Sequence, residues 1–111
     1  MFGHRDARSD EISADGLTSA LAGATPPLVL DVRTPEEYAQ GHIPDARLLP
    51  LPRLEASVKA LPADRRIVCV CRSGNRSGVA TKFLRASGLD AQNLVGGMLH
   101  WRGATTTGGS R

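Results

Sequence analysis

Ile67-Val68-Cys69-Val70-Cys71-Arg72-Ser73-Gly74-Asn75-Arg76-Ser77-Gly78 is the stretch on which the fold of this chain turns. Strand-forming residues lead into Cys71, a short polar loop with Gly74 follows, and a helical pattern sets in from about Ser77. In a strand-loop-helix unit the N–H groups of the loop and of the first helical turn have no partner inside the helix, so they can converge on an anion held there. A thiol at the mouth of such a loop meets unpaired donors, a helix dipole and the guanidinium groups of Arg72 and Arg76. All three favour thiolate, so Cys71 is expected to have a depressed pKa and to be nucleophilic at neutral pH. Cys69, two residues earlier in the apolar run, is expected in the core, with a resolving thiol as its functional alternative.

Outward from that stretch, strands and helices alternate. Ser13 can cap a helix with Leu17, Ala20 and Leu21 on one face, ended by Pro26-Pro27. Leu28 to Val32 is apolar without alternation, as in a strand covered on both faces. Thr34, Pro35 and Glu37 then spell an N-cap, a first helical residue and a capping box, and Gly41 stops that helix. Leu48 and Leu49 suit a short strand. Leu54, Val58 and Leu61 repeat as one amphipathic helix, closed by Pro62. After the strand Arg66 to Val70 and its loop, Val79, Ala80, Phe83 and Leu84 form the expected buried stripe, with Gly88 past the helix end. Leu89 to Val95 carries the last strand, Gly96-Gly97 allows a sharp turn, and Met98, Leu99 and Trp101 are expected to bury against the sheet. This order implies an α/β sandwich with a mostly parallel sheet and right-handed crossovers.

The length of the loop limits its cargo. Cys71 to Arg76 makes a ring of amides one residue smaller than the Cys-x5-Arg cradle of thiol phosphatases, and Ser77 stands where that pattern wants Arg. A phosphate is too large for it, whereas one sulfur atom carried on Cys71 fits. Cys71-Arg72-Ser73-Gly74-Asn75-Arg76 resembles the active-site loop of rhodanese-type sulfurtransferases. Three further segments match that family in order: Asp31-Val32-Arg33-Thr34-Pro35-Glu36-Glu37-Tyr38, Gly41-His42-Ile43-Pro44-Asp45-Ala46 and Gly96-Gly97-Met98-Leu99-His100-Trp101. The resemblance implies a three-layer sandwich around a central five-stranded sheet. It divides the chain into a polar segment 1–11, a rhodanese-like domain 12–103 and a flexible tail 104–111.

At 111 residues, 41% hydrophobic and 23% charged, the chain has room for one ordinary core and is not of disordered composition. Two cysteines one residue apart form no disulfide framework, which points to a reducing compartment. No apolar run approaches a membrane span, and the first ten residues are unlike a signal peptide, so a cytoplasmic monomer is the expectation. Charge is uneven: residues 1–55 carry five positive and nine negative side chains, and 56–111 carry nine and two. A basic half around Cys71 suits a small anionic donor. Nucleic acid is disfavoured, because no long basic run interleaves with aromatics.

The mechanism implied by the resemblance is double displacement, in which the Cys71 thiolate takes sulfur from a donor such as thiosulfate and passes it to a thiol, cyanide or a protein. Arg72 and Arg76 would bind the anionic part of the donor; Ser73, Gly74 and Asn75 complete the loop. Asn75 either faces substrate or braces the loop in a left-handed conformation. Nothing in this scheme needs a metal or an organic cofactor, and Cys69-x-Cys71 with no nearby His offers too few metal ligands. A sulfur-relay or docking module acting on a protein partner is the alternative, and arsenate or phosphate chemistry a weaker third. His42, Tyr38, Met98, Trp101, Asp31 and Arg33 are given structural roles, with Arg33 pairing Glu37.

Overall fold

The structure, a computed structural model, describes residues 9–109; of the polar segment 1–11, residues 1–8 lie outside them. The apolar runs Leu28–Asp31 (β2) and Ile67–Val70 (β4) are buried at every position and lie side by side in a five-stranded sheet. With β1 (Glu11–Ile12), β3 (Arg47–Leu48) and β5 (Ala91–Leu94), the order is β1-β5-β4-β2-β3. Every pairing is parallel, with Leu28 opposite Ile67 and Asp31 opposite Val70. A parallel sheet is covered on both faces, which is why its central strands carry no polar alternation.

Alternation instead sorts the apolar side chains between two half-cores. Leu28, Leu30, Ile67, Cys69 and Cys71 pack with Leu54, Ala80 and Leu84, under α3 (Leu54–Ser57) and α4 (Asn75–Ala86). Val29, Val68, Val70 and Leu94 pack with Leu17 and Tyr38, under α1 (Ala14–Leu21) and α2 (Pro35–Gln40). Met98 of the short α5 (Gly97–His100) and Trp101 join this second face. The architecture is the expected three-layer α/β sandwich.

Local signals set the helix ends. Ser13 Oγ accepts from the Gly16 N–H at 3.0 Å. Thr34 Oγ1 accepts from the Glu37 N–H at 3.2 Å while Glu37 Oε1 accepts from the Thr34 N–H at 3.1 Å, the capping box read from the sequence. At the end of α4 the Gly88 N–H donates to Arg85 O and the Leu89 N–H to Leu84 O, closing the last turn around a left-handed Gly88.

Three expectations are corrected. The helix through Leu54, Val58 and Leu61 is broken: 3-10 turns at Leu51–Arg53 and Val58–Ala60 flank a four-residue α3 that has no side-chain cap. Val79 is 59% exposed, because the buried face of α4 is Ser77, Ala80, Thr81 and Leu84. Two small polar residues sit over the sheet there, so a stripe drawn from apolar residues alone is rotated toward Val79. Leu99 is likewise exposed, while Met98 and Trp101 are the residues that pack. Past residue 104, Thr106 and His42 exchange backbone hydrogen bonds at 2.9 Å, and the Gly108 N–H donates to Ala39 O at 2.7 Å. At the other end, β1 begins at Glu11, and Asp10 O already accepts from the Asn93 N–H.

The rotated stripe makes a direct prediction. Leu84→Ala, at a fully buried site, should cost about 2–5 kcal/mol. Val79→Ala should stay within about 0.5 kcal/mol. Urea unfolding midpoints of the two variants measure the contrast, and equal losses would contradict the placement of α4.

Candidate active site

Because side chains alternate along β4, Cys69 and Cys71 leave the sheet on the same face, the one covered by α4. Ser77 and Thr81, one helical turn apart on the buried side of α4, face that sheet surface. Around Cys71 Sγ three donors converge: the Gly74 N–H at 3.1 Å, the Ser77 N–H at 3.3 Å and the Ser77 hydroxyl at 3.2 Å. Burial pushes the Cys71 thiol up, but the Ser77 hydroxyl and the N–H groups of Ser77, Gly74 and Ser73 outweigh it and hold the thiol below its ordinary range. Cys69 lacks such a ring. Burial drives its thiol up to about 12, with only the Thr81 side chain acting against it, so it stays protonated and belongs to the core.

The direction of the loop amides is set from outside. The Met98 and Leu99 N–H groups of α5 donate to the carbonyls of Cys71 and Arg72 at 2.9 and 3.0 Å. In a planar trans peptide the N–H points opposite to the C=O, so the N–H groups of Arg72 and Ser73 are turned away from α5. This close approach requires Gly97: a Cβ there would lie 2.4 Å from Cys71 O and 2.5 Å from Arg72 O. On the opposite side Gly74, with φ 106°, turns the chain so that its own N–H reaches the sulfur before α4 begins. The left-handed residue of the loop is therefore Gly74, not Asn75, which is the exposed first residue of α4, two residues ahead of the expected start at Ser77.

The two loop arginines do different things. Arg72 is exposed at the rim, with Ser73 beside it. Arg76 is held in a two-pronged ion pair with Glu37 of α2, at 2.7 and 2.9 Å. The Arg76 hydrogen bonds hold the Glu37 carboxyl down to about 2, against the opposing effect of partial burial. This pairing replaces the expected one between Arg33 and Glu37. Arg33 instead grips the buried Asp31 through two hydrogen bonds of 2.8 and 2.7 Å and also donates to Gly41 O. His42 is structural as expected: its ring stacks on Tyr38 at 3.6 Å and its Nδ1 hydrogen-bonds to Tyr38 O. Among the described residues, no group of three His, Cys, Asp or Glu side chains is placed to hold a metal ion, and no helix is long and apolar enough to cross a membrane.

A lowered thiol at the carboxyl end of a central parallel strand, inside a ring of loop donors, is one element of a wider likeness. The model of the rhodanese-like domain matches residues 13–104. This chain belongs to the rhodanese-like family. A sulfurtransferase of Allochromatium vinosum is 41% identical over 93 residues, 83% of this chain and 87% of the relative. A Bacillus subtilis protein described as a putative sulfur carrier, YrkF, is 37% identical over 69% of this chain and 42% of its own length. A crystal structure of a rhodanese-like domain protein from Staphylococcus aureus superposes with a TM-score of 0.84 at 32% identity, covering 91% of this chain and all of the other. These likenesses support sulfur transfer in general.

Three site residues escaped the sequence. Ser77 reads from the sequence as a helix start and as the position lacking an Arg, yet its N–H donates to the sulfur and its hydroxyl lies 3.2 Å from it. Its spacing of four from Thr81 in an otherwise apolar stripe was the available signal. Asn93, a polar residue within the last strand, accepts from Ser77 Oγ at 2.6 Å and donates to Gly74 O at 3.1 Å. Glu37 reads from the sequence as a capping-box residue and a partner for Arg33, not for Arg76.

The ion pair gives a signed pH prediction. A carboxyl depressed from 4.5 to about 2 contributes stability that is present above its unfolded value and lost as pH falls through the folded one. Glu37→Gln keeps an amide able to cap α2 but removes the charge. It should lower the unfolding midpoint at neutral pH, with the gap to the parent protein closing as pH falls from 4.5 toward 2. A gap that does not change with pH would show that the pair contributes nothing through its charge.

Proposed function

We propose that this chain is a sulfurtransferase in which Cys71 carries sulfane sulfur as a persulfide. The observation that carries this is the convergence of the Gly74 N–H, the Ser77 N–H and the Ser77 hydroxyl on Cys71 Sγ. The thiolate attacks the outer sulfur of a donor such as thiosulfate. A new S–S bond forms to Sγ as the donor's S–S bond breaks, and the electron pair of the broken bond leaves with sulfite. An acceptor nucleophile, cyanide in vitro or a thiol, then attacks the outer sulfur and returns the electron pair to Sγ. In the persulfide the negative charge lies one atom further out, where loop N–H groups turned into the site favour it.

The ion pair with Glu37 leaves Arg76 partly neutralised, so capture of an anionic donor falls mainly to Arg72 at the rim. A second reading, transfer to or from a protein, is favoured by a shallow cleft of about 280 Å³ beside the loop. Arg72, Met98 and the exposed Leu99 line it, an arrangement with room for a peptide segment. Both readings use the same cysteine and the same ring.

Thiosulfate treatment should add the mass of one sulfur atom to the protein, reversed by cyanide. Cys71→Ser should abolish both the adduct and thiosulfate:cyanide turnover, while Cys69→Ala should keep most of each. Equal losses from the two substitutions would sink the assignment.

The size of the ring gives a separate expectation. Its donors close on Cys71 Sγ itself and the loop is one residue shorter than the Cys-x5-Arg cradle, so an aryl phosphate should be neither bound covalently nor hydrolysed. Aryl phosphate hydrolysis at rates comparable to sulfur transfer would refute it.

A further inference from the structure

Ser77 Oγ stands between two acceptors and has one proton to give. It lies 3.2 Å from Cys71 Sγ and 2.6 Å from Asn93 Oδ1. The amide of Asn93 is oriented by its other end, because Nδ2 donates to the Gly74 carbonyl at 3.1 Å; a flipped amide would set two carbonyl oxygens against each other. Two oxygen acceptors separated by 2.6 Å need a hydrogen between them, and only the Ser77 hydroxyl can supply it. With that proton on the Asn93 side, Ser77 Oγ can accept from a Cys71 S–H. With the proton turned to Sγ, it donates to a thiolate and the two oxygens lose their bond.

We infer that Asn93 is a positioning residue that competes with the Cys71 sulfur for the Ser77 hydroxyl proton and so sets how readily the thiol ionises. The place of this competition in turnover rests on the sulfur-transfer reading above. When Sγ is a thiolate the proton turns to it; when charge has moved to an outer sulfur, Sγ is a poor acceptor and the proton returns to Asn93. The competition itself concerns only the unloaded thiol.

The charged and titratable groups around this trio are accounted for. Arg76 on α4 is the cation coupled to Cys71, and it is pinned by Glu37 of α2. Asp31 of β2 is gripped by Arg33, Cys69 of β4 lies two residues below Cys71, Arg72 is exposed on the loop, and His100 of α5 rests against Gly96. None of these hydrogen-bonds to Ser77 Oγ. Removing the Asn93 side chain also leaves Gly74 O with a partner, since it accepts from the Gly78 N–H at 3.0 Å, so the loop keeps its helical anchor.

The test is the pH dependence of alkylation of Cys71 by iodoacetamide, measured on the unloaded full chain in a Cys69→Ala background. Asn93→Leu, nearly isosteric, frees the Ser77 proton for the thiolate and should move the inflection down by about half a pH unit or more, the worth of one hydrogen bond. With Ser77→Ala in place, Asn93→Leu should move nothing. Loosening of the loop would move the inflection whether or not the Ser77 hydroxyl is present. An inflection unmoved by Asn93→Leu, or moved equally with and without the Ser77 hydroxyl, would overturn the inference. A sulfur adduct that fails to form while these shifts are observed would count against the sulfur-transfer reading alone.

Discussion

The hydrogen bonds from the Met98 and Leu99 N–H groups to the carbonyls of Cys71 and Arg72 fix the direction of every peptide in the first half of the active loop. A loop of this length leaving a strand has no reason of its own to point its N–H groups back at the preceding side chain. Tying its carbonyls outward, to α5, leaves the N–H groups inward. The tie depends on Gly97, whose missing Cβ lets α5 press on the loop, and on Gly96 before it, both with positive φ. The chain thus spends a second strand-to-helix turn, at the end of β5, on orienting the turn at the end of β4. Adjacency of β4 and β5 in the parallel order makes the contact possible.

Cys69 and Cys71 form a natural comparison of what tunes a thiol. Both are buried, both face α4, and only one residue separates them. Burial disfavours either thiolate, and it dominates at Cys69, where only the Thr81 side chain acts against it. At Cys71 the same penalty is reversed by one hydroxyl and three backbone N–H groups. The difference lies in the end of the strand: β4 stops at Val70, so Cys71 belongs to a segment whose amides are not committed to the sheet. Arginine charge plays a lesser part than the sequence implies, since Arg76 is occupied by Glu37.

Much of the fold was legible because its signals are local. Capping at Thr34, the unbroken apolar runs of β2 and β4, and Gly88 after α4 all state their structure within a few residues. The two-residue β1 was invisible to pattern, since Glu11–Ile12 is too short to show a period and is a strand only because β5 lies beside it. Its presence was implied by family resemblance alone. Val79 was misplaced for a related reason: burial of Ser77 and Thr81 is imposed by what lies beneath them, and no hydrophobic count rewards it.

The partners within the site were less legible than its nucleophile. Glu37, Ser77 and Asn93 come from three separate elements, α2, α4 and β5, and only the sheet order brings them to one end of β4. Each is also explicable locally: Glu37 completes a cap, Ser77 continues a helix, and Asn93 is one polar residue in a strand near the edge of the sheet. A residue with a satisfactory local explanation gives no reason to seek a distant one. Glu37 meets both demands at once, because Oε1 accepts from the Thr34 N–H while the same carboxylate holds the Arg76 guanidinium. The cap at the start of α2 is therefore part of the site: it fixes the carboxylate that holds Arg76 of α4, the helix whose first turn donates to Cys71.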